Sequence, residues 1–188
     1  MLPKLIAFDL DYTLWELWIG THTGPLRRTG DAVVDAHDVP IEFFADVPDI
    51  LRRLRGEGVL LAACSRTHAT QLARQALQLL HVAGDDGEPA QPAIELFDDL
   101  QIYPGSKLAH FRALHAKTGV PYEQMLFFDN ERRNREVESL GKCTHGLGME
   151  IADFFVPGVV FHLTPTGVDN ATFDAGVETW KARMSKSE

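Results

Sequence analysis

Cysteine is nearly absent: Cys64 and Cys143 are the only two in 188 residues, and both sit in apolar, strand-like surroundings. So sparse a supply argues against a disulfide-stapled scaffold and for a reduced intracellular protein. No apolar run approaches the length needed to span a bilayer. The N-terminus offers one Lys and reaches its first acid at Asp9, a pattern without a signal peptide. The expectation is a soluble, cytoplasmic chain that meets no membrane. Positive charge is the minority sign, and the formal net charge is −9. The overall field therefore repels nucleic acid, and an anionic ligand would need local cations. Internal repeats, heptads and low-complexity tracts are missing as well. The eight histidines include no His-x-x-x-His pair beside an acid, which leaves zinc chemistry poorly supported.

What the chain does have is an ordinary composition, 45% apolar and 24% charged, in a length that suits one domain over residues 1–188. Leu5-Ile6-Ala7-Phe8 runs unbroken into Asp9 and Asp11. A short apolar run of this kind reads as a strand buried on both faces, as in a parallel sheet. Val59–Cys64, Leu100–Tyr103 and Met125–Phe128 repeat the pattern, and Cys143–His145 and Val159–His162 are candidate late strands. Helical patterns lie between them. One has Pro48 in its first turn and ends at Gly58; a second, Ala69–Leu80, has Thr67 as its cap. A third runs from Lys107 to Lys117, a polar fourth from Glu131 to Leu140, and a closing helix from Phe173 to Met184. The alternation predicts an α/β fold: a doubly wound, mostly parallel, Rossmann-like sheet with helices on both faces and right-handed crossovers. Two stretches interrupt it. Residues 15–44 read as a long active-site loop, and residues 81–93 as a surface insertion rich in Gly, Asp and Pro. Trp15 reads as core, and Trp18 is balanced between core and cleft wall.

In open α/β sheets ligands bind at the carboxyl ends of the strands, and here those ends carry chemistry. Asp9 and Asp11 follow the first strand and, on extended backbone, would point to the same side. Two such carboxylates resist joint ionisation unless a cation or a shared proton intervenes. Ser65-Arg66-Thr67 follows the second strand, Lys107 the third, and Asp129-Asn130 the fourth. Together these offer a nucleophile, an acid/base, a hydroxyl, an ammonium and oxygen ligands for a hard cation. Phosphoryl transfer needs little else, because its catalysis is largely positioning and charge stabilisation. Each residue alone has a bland reading: a solvated acid, a helix cap, a solvated lysine, a salt-paired arginine. Their order along four strand ends does not.

With those residues in place, Phe8-Asp9-Leu10-Asp11-Tyr12-Thr13-Leu14-Trp15 resembles the first motif of the haloacid-dehalogenase-like superfamily, most closely its small magnesium-dependent phosphatases. Ser65-Arg66-Thr67, Ile102-Tyr103-Pro104-Gly105-Ser106-Lys107, Lys117-Thr118-Gly119-Val120-Pro121 and Phe127-Phe128-Asp129-Asn130-Glu131-Arg132-Arg133-Asn134 extend the likeness from Pro3 to about Met149. The resemblance implies a Mg²⁺ cofactor and hydrolysis of phosphomonoesters through an aspartyl-phosphate. Asp9 would be the nucleophile and Asp11 the acid/base, while Ser65 and Lys107 would hold the phosphoryl group. Trp18 and Arg66 would stand on the substrate side, and Asp9, Asp11, Asp129 and Asn130 would form the metal set. The family usually carries two adjacent acids where this chain has Asp129-Asn130. An amide oxygen ligates Mg²⁺ without bringing charge, so affinity or metal preference would shift. Asn130 is the favoured direct ligand, with Asp129 holding a metal-bound water or Lys107.

Rival readings are weaker. A cysteine-dependent phosphatase needs an Arg six positions after its nucleophile, and six after Cys64 stands Thr70. A dehalogenase would not need an acid at Asp11. A response-regulator receiver carries its phospho-accepting Asp on a middle strand, whereas here the pair follows the first. The alternative function is a catalytically weakened phospho-ligand binding or signalling module, favoured only by Asn130. No large cap domain interrupts the motifs. The expected substrates are a phosphorylated small molecule such as a sugar phosphate, or a phosphoprotein, phosphotyrosine being the group associated with this family. Oligomeric state is not addressed by the sequence.

Overall fold

The computed structural model describes residues 1–30, 32–84, 88–141 and 158–185. The chain opens on β1 (Leu5–Phe8), whose four apolar residues are all buried. The next thirty or so residues, expected to be a loop, instead carry three short strands. These are β2 (Arg27–Thr29), β3 (Ala32–Val34) and β4 (Pro40–Ile41), paired antiparallel in that order. Strands of two or three residues are too brief for periodicity to register. Asp35 braces their turn by accepting from the His37, Val39 and Thr23 amides at 2.8, 3.0 and 3.3 Å.

Helix α1 (Val47–Gly56) starts with Pro48 in its first turn and buries Val47, Ile50, Leu51 and Leu54. β5 (Leu60–Ser65) and α2 (Thr70–Leu79) follow. Thr67 does not cap α2; its hydroxyl accepts from the Ala69 amide at 3.2 Å, two residues on and just ahead of the helix. A local two-residue turn competed successfully with the cap. The expected surface insertion holds a small hairpin, β6 (His81–Val82) with β7 (Gln91–Pro92). β8 (Asp99–Ile102) leads through a turn into α3 (Lys107–Thr118), where the Ser106 hydroxyl accepts from the Ala109 amide at 3.3 Å. β9 (Met125–Asp129) is followed by a 3₁₀ run, Arg132–Ser139, where an α-helix was expected. Its buried positions Asn134 and Val137, and Leu140 just past its end, are three residues apart, and that spacing suits three residues per turn. β10 (Val160–Leu163) and α4 (Asn170–Met184) complete the described chain. The candidate strand Cys143–His145 lies outside the described residues.

The main sheet has the order β10-β9-β1-β5-β8, parallel throughout. Successive strand residues point to opposite faces, and the two cores follow that period. Ile6, Phe8, Leu61, Ala63, Leu126 and Phe128 pack with α1, α2 and α4. Leu5, Ala7, Ala62, Cys64, Met125 and Phe127 pack with α3 and the 3₁₀ run. Helices therefore cover both faces of a doubly wound α/β sheet, as expected. No helix of the described residues is long and apolar enough to cross a membrane.

Candidate active site

After β1 the chain moves outward to β5 and β8, then returns across the sheet to β9 and β10. The reversal falls between β1 and β9, the position where α/β sheets open a crevice at their carboxyl edge. A cleft of about 530 Å³ lies there, lined by Asp9, Asp11, Trp18, Ser65, Arg66, Lys107 and Asn130 among others. Every site residue singled out from the sequence lines it except Asp129, which is fully buried.

Lys107, at the first turn of α3, is the centre of charge. It is wholly buried, and its Nζ donates to Asp9 Oδ1 at 2.6 Å and lies 3.1 Å from Asp129 Oδ2. It also donates to the Cys64 carbonyl at the end of β5. Burial works against its charge, but Asp9 and Asp129 outweigh that and hold its proton more firmly than usual. Asp9 is driven the other way. Burial chiefly, with the neighbouring Asp129 and Asp11 charges, lifts its carboxyl above the ordinary range against the pull of Lys107. Burial likewise raises Asp129. Two carboxylates thus share one ammonium, with Asp11 close enough to add its charge to their repulsion.

Asp11 is held by one oxygen. Its Oδ1 accepts from the Trp15 indole Nε1 at 2.8 Å and from the Ile19 amide at 3.0 Å. Burial raises its carboxyl despite those two donors, and a proton on it belongs on Oδ2, the oxygen without them. Trp15 is core, as expected, fully buried and stacked on Phe43 at 6.1 Å, yet its indole also orients Asp11. The Asp11 to Trp15 interval of four residues was the available signal for that contact. Ser65 is buried, and its hydroxyl oxygen accepts from the Thr67 amide at 3.3 Å, so its own proton is free to point into the cleft.

Sequence reasoning missed the part played by Asn134. Its amide nitrogen donates to Asp129 Oδ2 at 2.8 Å, and its oxygen accepts from Arg66 at 3.1 Å. Arg66 is thus no salt-paired surface residue; it is tethered across the cleft to the element after β9. Asp129 Oδ1 accepts from the Glu131 amide at 2.7 Å. Both Asp129 oxygens are therefore engaged by protein groups, whereas Asn130 lines the open cleft.

No three His, Cys, Asp or Glu side chains among the described residues form a cage for a metal. Mg²⁺ seldom needs one, taking one or two carboxylates and completing its shell with water and phosphate oxygens. The carboxylates of Asp9 and Asp129, which outnumber the Lys107 ammonium, and the amide of Asn130 in the open cleft fit one hard divalent cation.

Comparison with known proteins agrees with this chemistry. The family model described as Acid Phosphatase matches residues 1–154. A HAD-like hydrolase superfamily protein of Schizosaccharomyces pombe is 46% identical over 143 residues, covering 74% of this chain and 82% of that one. Magnesium-dependent phosphatase 1 of Homo sapiens is 43% identical over 148 residues, covering 77% and 78%. Among solved structures, the 3-deoxy-D-manno-octulosonate 8-phosphate phosphatase of Moraxella catarrhalis aligns over 99% of this chain and 94% of its own with a TM-score of 0.51. At 16% identity that match speaks for the fold alone. The chain belongs to the acid phosphatase family, within the haloacid-dehalogenase-like superfamily and beside its small magnesium-dependent phosphatases.

Proposed function

We propose that this protein is a Mg²⁺-dependent phosphomonoesterase that works through an aspartyl-phosphate on Asp9. The observation that carries the reading is the buried Asp9–Lys107–Asp129 set beside an Asp11 anchored by one oxygen. Lys107 occupies Asp9 Oδ1 and leaves Oδ2 to attack phosphorus. As the Asp9–phosphorus bond forms and the ester bond breaks, the leaving oxygen takes the proton from Asp11 Oδ2. Water then attacks the same phosphorus and returns a proton to Asp11, and the Asp9–phosphorus bond breaks to release phosphate. The upward push of burial on Asp11 suits a carboxyl that must hold a proton near neutrality. The Ser65 hydroxyl and Lys107 ammonium bind the phosphoryl oxygens, with Arg66 and Trp18 on the leaving-group side. Asp129 holds Lys107, and Asn130 supplies the direct metal oxygen. Mg²⁺ held by Asp9 and Asn130 would neutralise charge developing on the phosphoryl group. The cleft admits phosphorylated small molecules and, being open, a phosphorylated protein side chain such as phosphotyrosine.

The test is hydrolysis of para-nitrophenyl phosphate by wild type, Asp9→Asn and Asp11→Asn, with Mg²⁺ or with EDTA. Turnover only with metal, lost in both variants, is expected. Full activity in Asp9→Asn would overturn the aspartyl-phosphate route. The uncharged Asn130 favours a second reading, a phospho-ligand binding module. Its signature is wild type inert with Mg²⁺ and Mn²⁺ and activity restored by Asn130→Asp.

A further inference from the structure

One of the exposed aromatic rings in the cleft sits on a backbone that aromatic residues seldom take. Tyr12 has a φ of 55°, in the left-handed region, where Cβ crowds the next carbonyl and a bulky side chain is an outlier. The turn is closed by the Thr13 and Leu14 amides, which both donate to the Leu10 carbonyl at 3.1 and 2.9 Å. Glycine would satisfy such a position at no steric cost. The chain instead carries a tyrosine and leaves it 47% exposed, lining the cleft directly after Asp11. Among the described residues no hydrogen bond or ring contact holds that side chain. Its packing does not explain it, and strain retained at a site is a recognised mark of function.

Trp18 lines the same cleft and is 54% exposed. Its indole lies over Gly20, where an added Cβ would come 3.1 Å from Nε1, so the glycine leaves the ring its place. Both aromatic residues line the cleft together with Asp11, whose free oxygen faces the departing group in the proposed reaction.

We propose that Tyr12 is a specificity-determining residue of this cleft. With Trp18 it forms an aromatic wall that receives the flat or apolar face of the leaving group while that group's oxygen collects the proton of Asp11. The inference rests on the phosphomonoesterase reading. Ring stacking of this kind discriminates by roughly three- to tenfold.

The experiment compares kcat/KM for para-nitrophenyl phosphate with that for glycerol 2-phosphate in wild type, Tyr12→Phe, Tyr12→Ala and Tyr12→Gly. Thermal unfolding of each protein and calorimetric binding of phenylphosphonate and methylphosphonate complete it. Tyr12→Phe keeps the aryl-to-alkyl ratio, and Tyr12→Gly lowers it by about three- to tenfold while melting no lower than wild type. Tyr12→Ala lowers the ratio equally but melts below Tyr12→Gly, because it keeps the left-handed strain. Loss of function without loss of stability separates a wall from a structural prop. An unchanged ratio in Tyr12→Gly, a Tyr12→Gly protein that melts well below wild type, or a wild type that binds both phosphonates alike would each overturn the proposal. A wild type that hydrolyses neither ester yet prefers phenylphosphonate through Tyr12 would sink hydrolysis and keep the wall.

Discussion

At the scale of single residues the site is joined by one amide. Asn134 is nearly as buried as the core, and its two ends bond Arg66 and Asp129. It therefore ties the loop after β5 to the end of β9 across the crevice. Asn134→Leu removes these bonds, with a longer one to Glu131 Oε2 at 3.4 Å, and adds no charge. It leaves Arg66 untethered and gives one Asp129 oxygen to Lys107 alone. Expected is a loss of roughly ten- to a hundredfold in kcat/KM, the usual effect of groups that orient a site's direct contacts. Circular dichroism should be unchanged. Coupling is the sharper readout: Arg66→Ala should cost less in the Asn134→Leu background than in wild type. Strict additivity of the two would show that Asn134 does not act through Arg66. Asp9, Asp11, Ser65 and Lys107 were legible because each sits at a strand end in a recognisable order. Asn134 was not, since its work depends on where two distant segments meet.

At the scale of elements, side-chain volume decides how closely helices approach the sheet. Gly176 lies inside α4, where a Cβ would come 2.4 Å from the Phe128 ring. Phe128 is wedged in turn, stacked on Phe8 at 5.2 Å and on Phe173 at 5.5 Å, so it has no room to yield. Gly176→Ala gains about 1 kcal/mol in helix propensity, but overpacking of this kind costs roughly 1–3 kcal/mol. The net expectation is a lower urea midpoint, and a midpoint above wild type would refute the close approach. Elements with strong periodicity or clear punctuation, such as α1 with Pro48 and α3 with Ser106, were readable from sequence. The three short strands between Arg27 and Ile41 and the 3₁₀ run after β9 were not, because each depends on contacts outside its own segment.

For the whole molecule, the pH dependence of stability carries the imprint of His110. It is completely buried, with Nε2 3.1 Å from the Tyr103 carbonyl, which makes Nε2–H the donor. Its Nδ1 has no partner among the described residues. Burial first, with Lys107 adding to it, lowers the imidazole to about 4. As pH falls below about 6.5 the unfolded chain takes a proton at this histidine that the folded chain refuses until about pH 4. Stability is therefore lost across that window and is full above it. His110→Gln keeps a donor without the titration, so its urea midpoint should decline less than that of wild type between pH 6.5 and 4.5. Parallel declines would show that His110 does not titrate in this way.

The sequence by itself determined the fold class, the strand-end chemistry and the identity of most reacting groups. Apolar runs ending in acids, hydroxyls and a lysine are local patterns that follow the periodicity of strands and helices. The tertiary structure alone decided that β9 sits beside β1, so that Asp9 and Asp129 share Lys107. It also decided that Asn134 bridges to Arg66. Those facts rest on burial and on distances between segments far apart in the chain. No local pattern encodes how much charge is taken out of water, or which partner is close enough to compensate it.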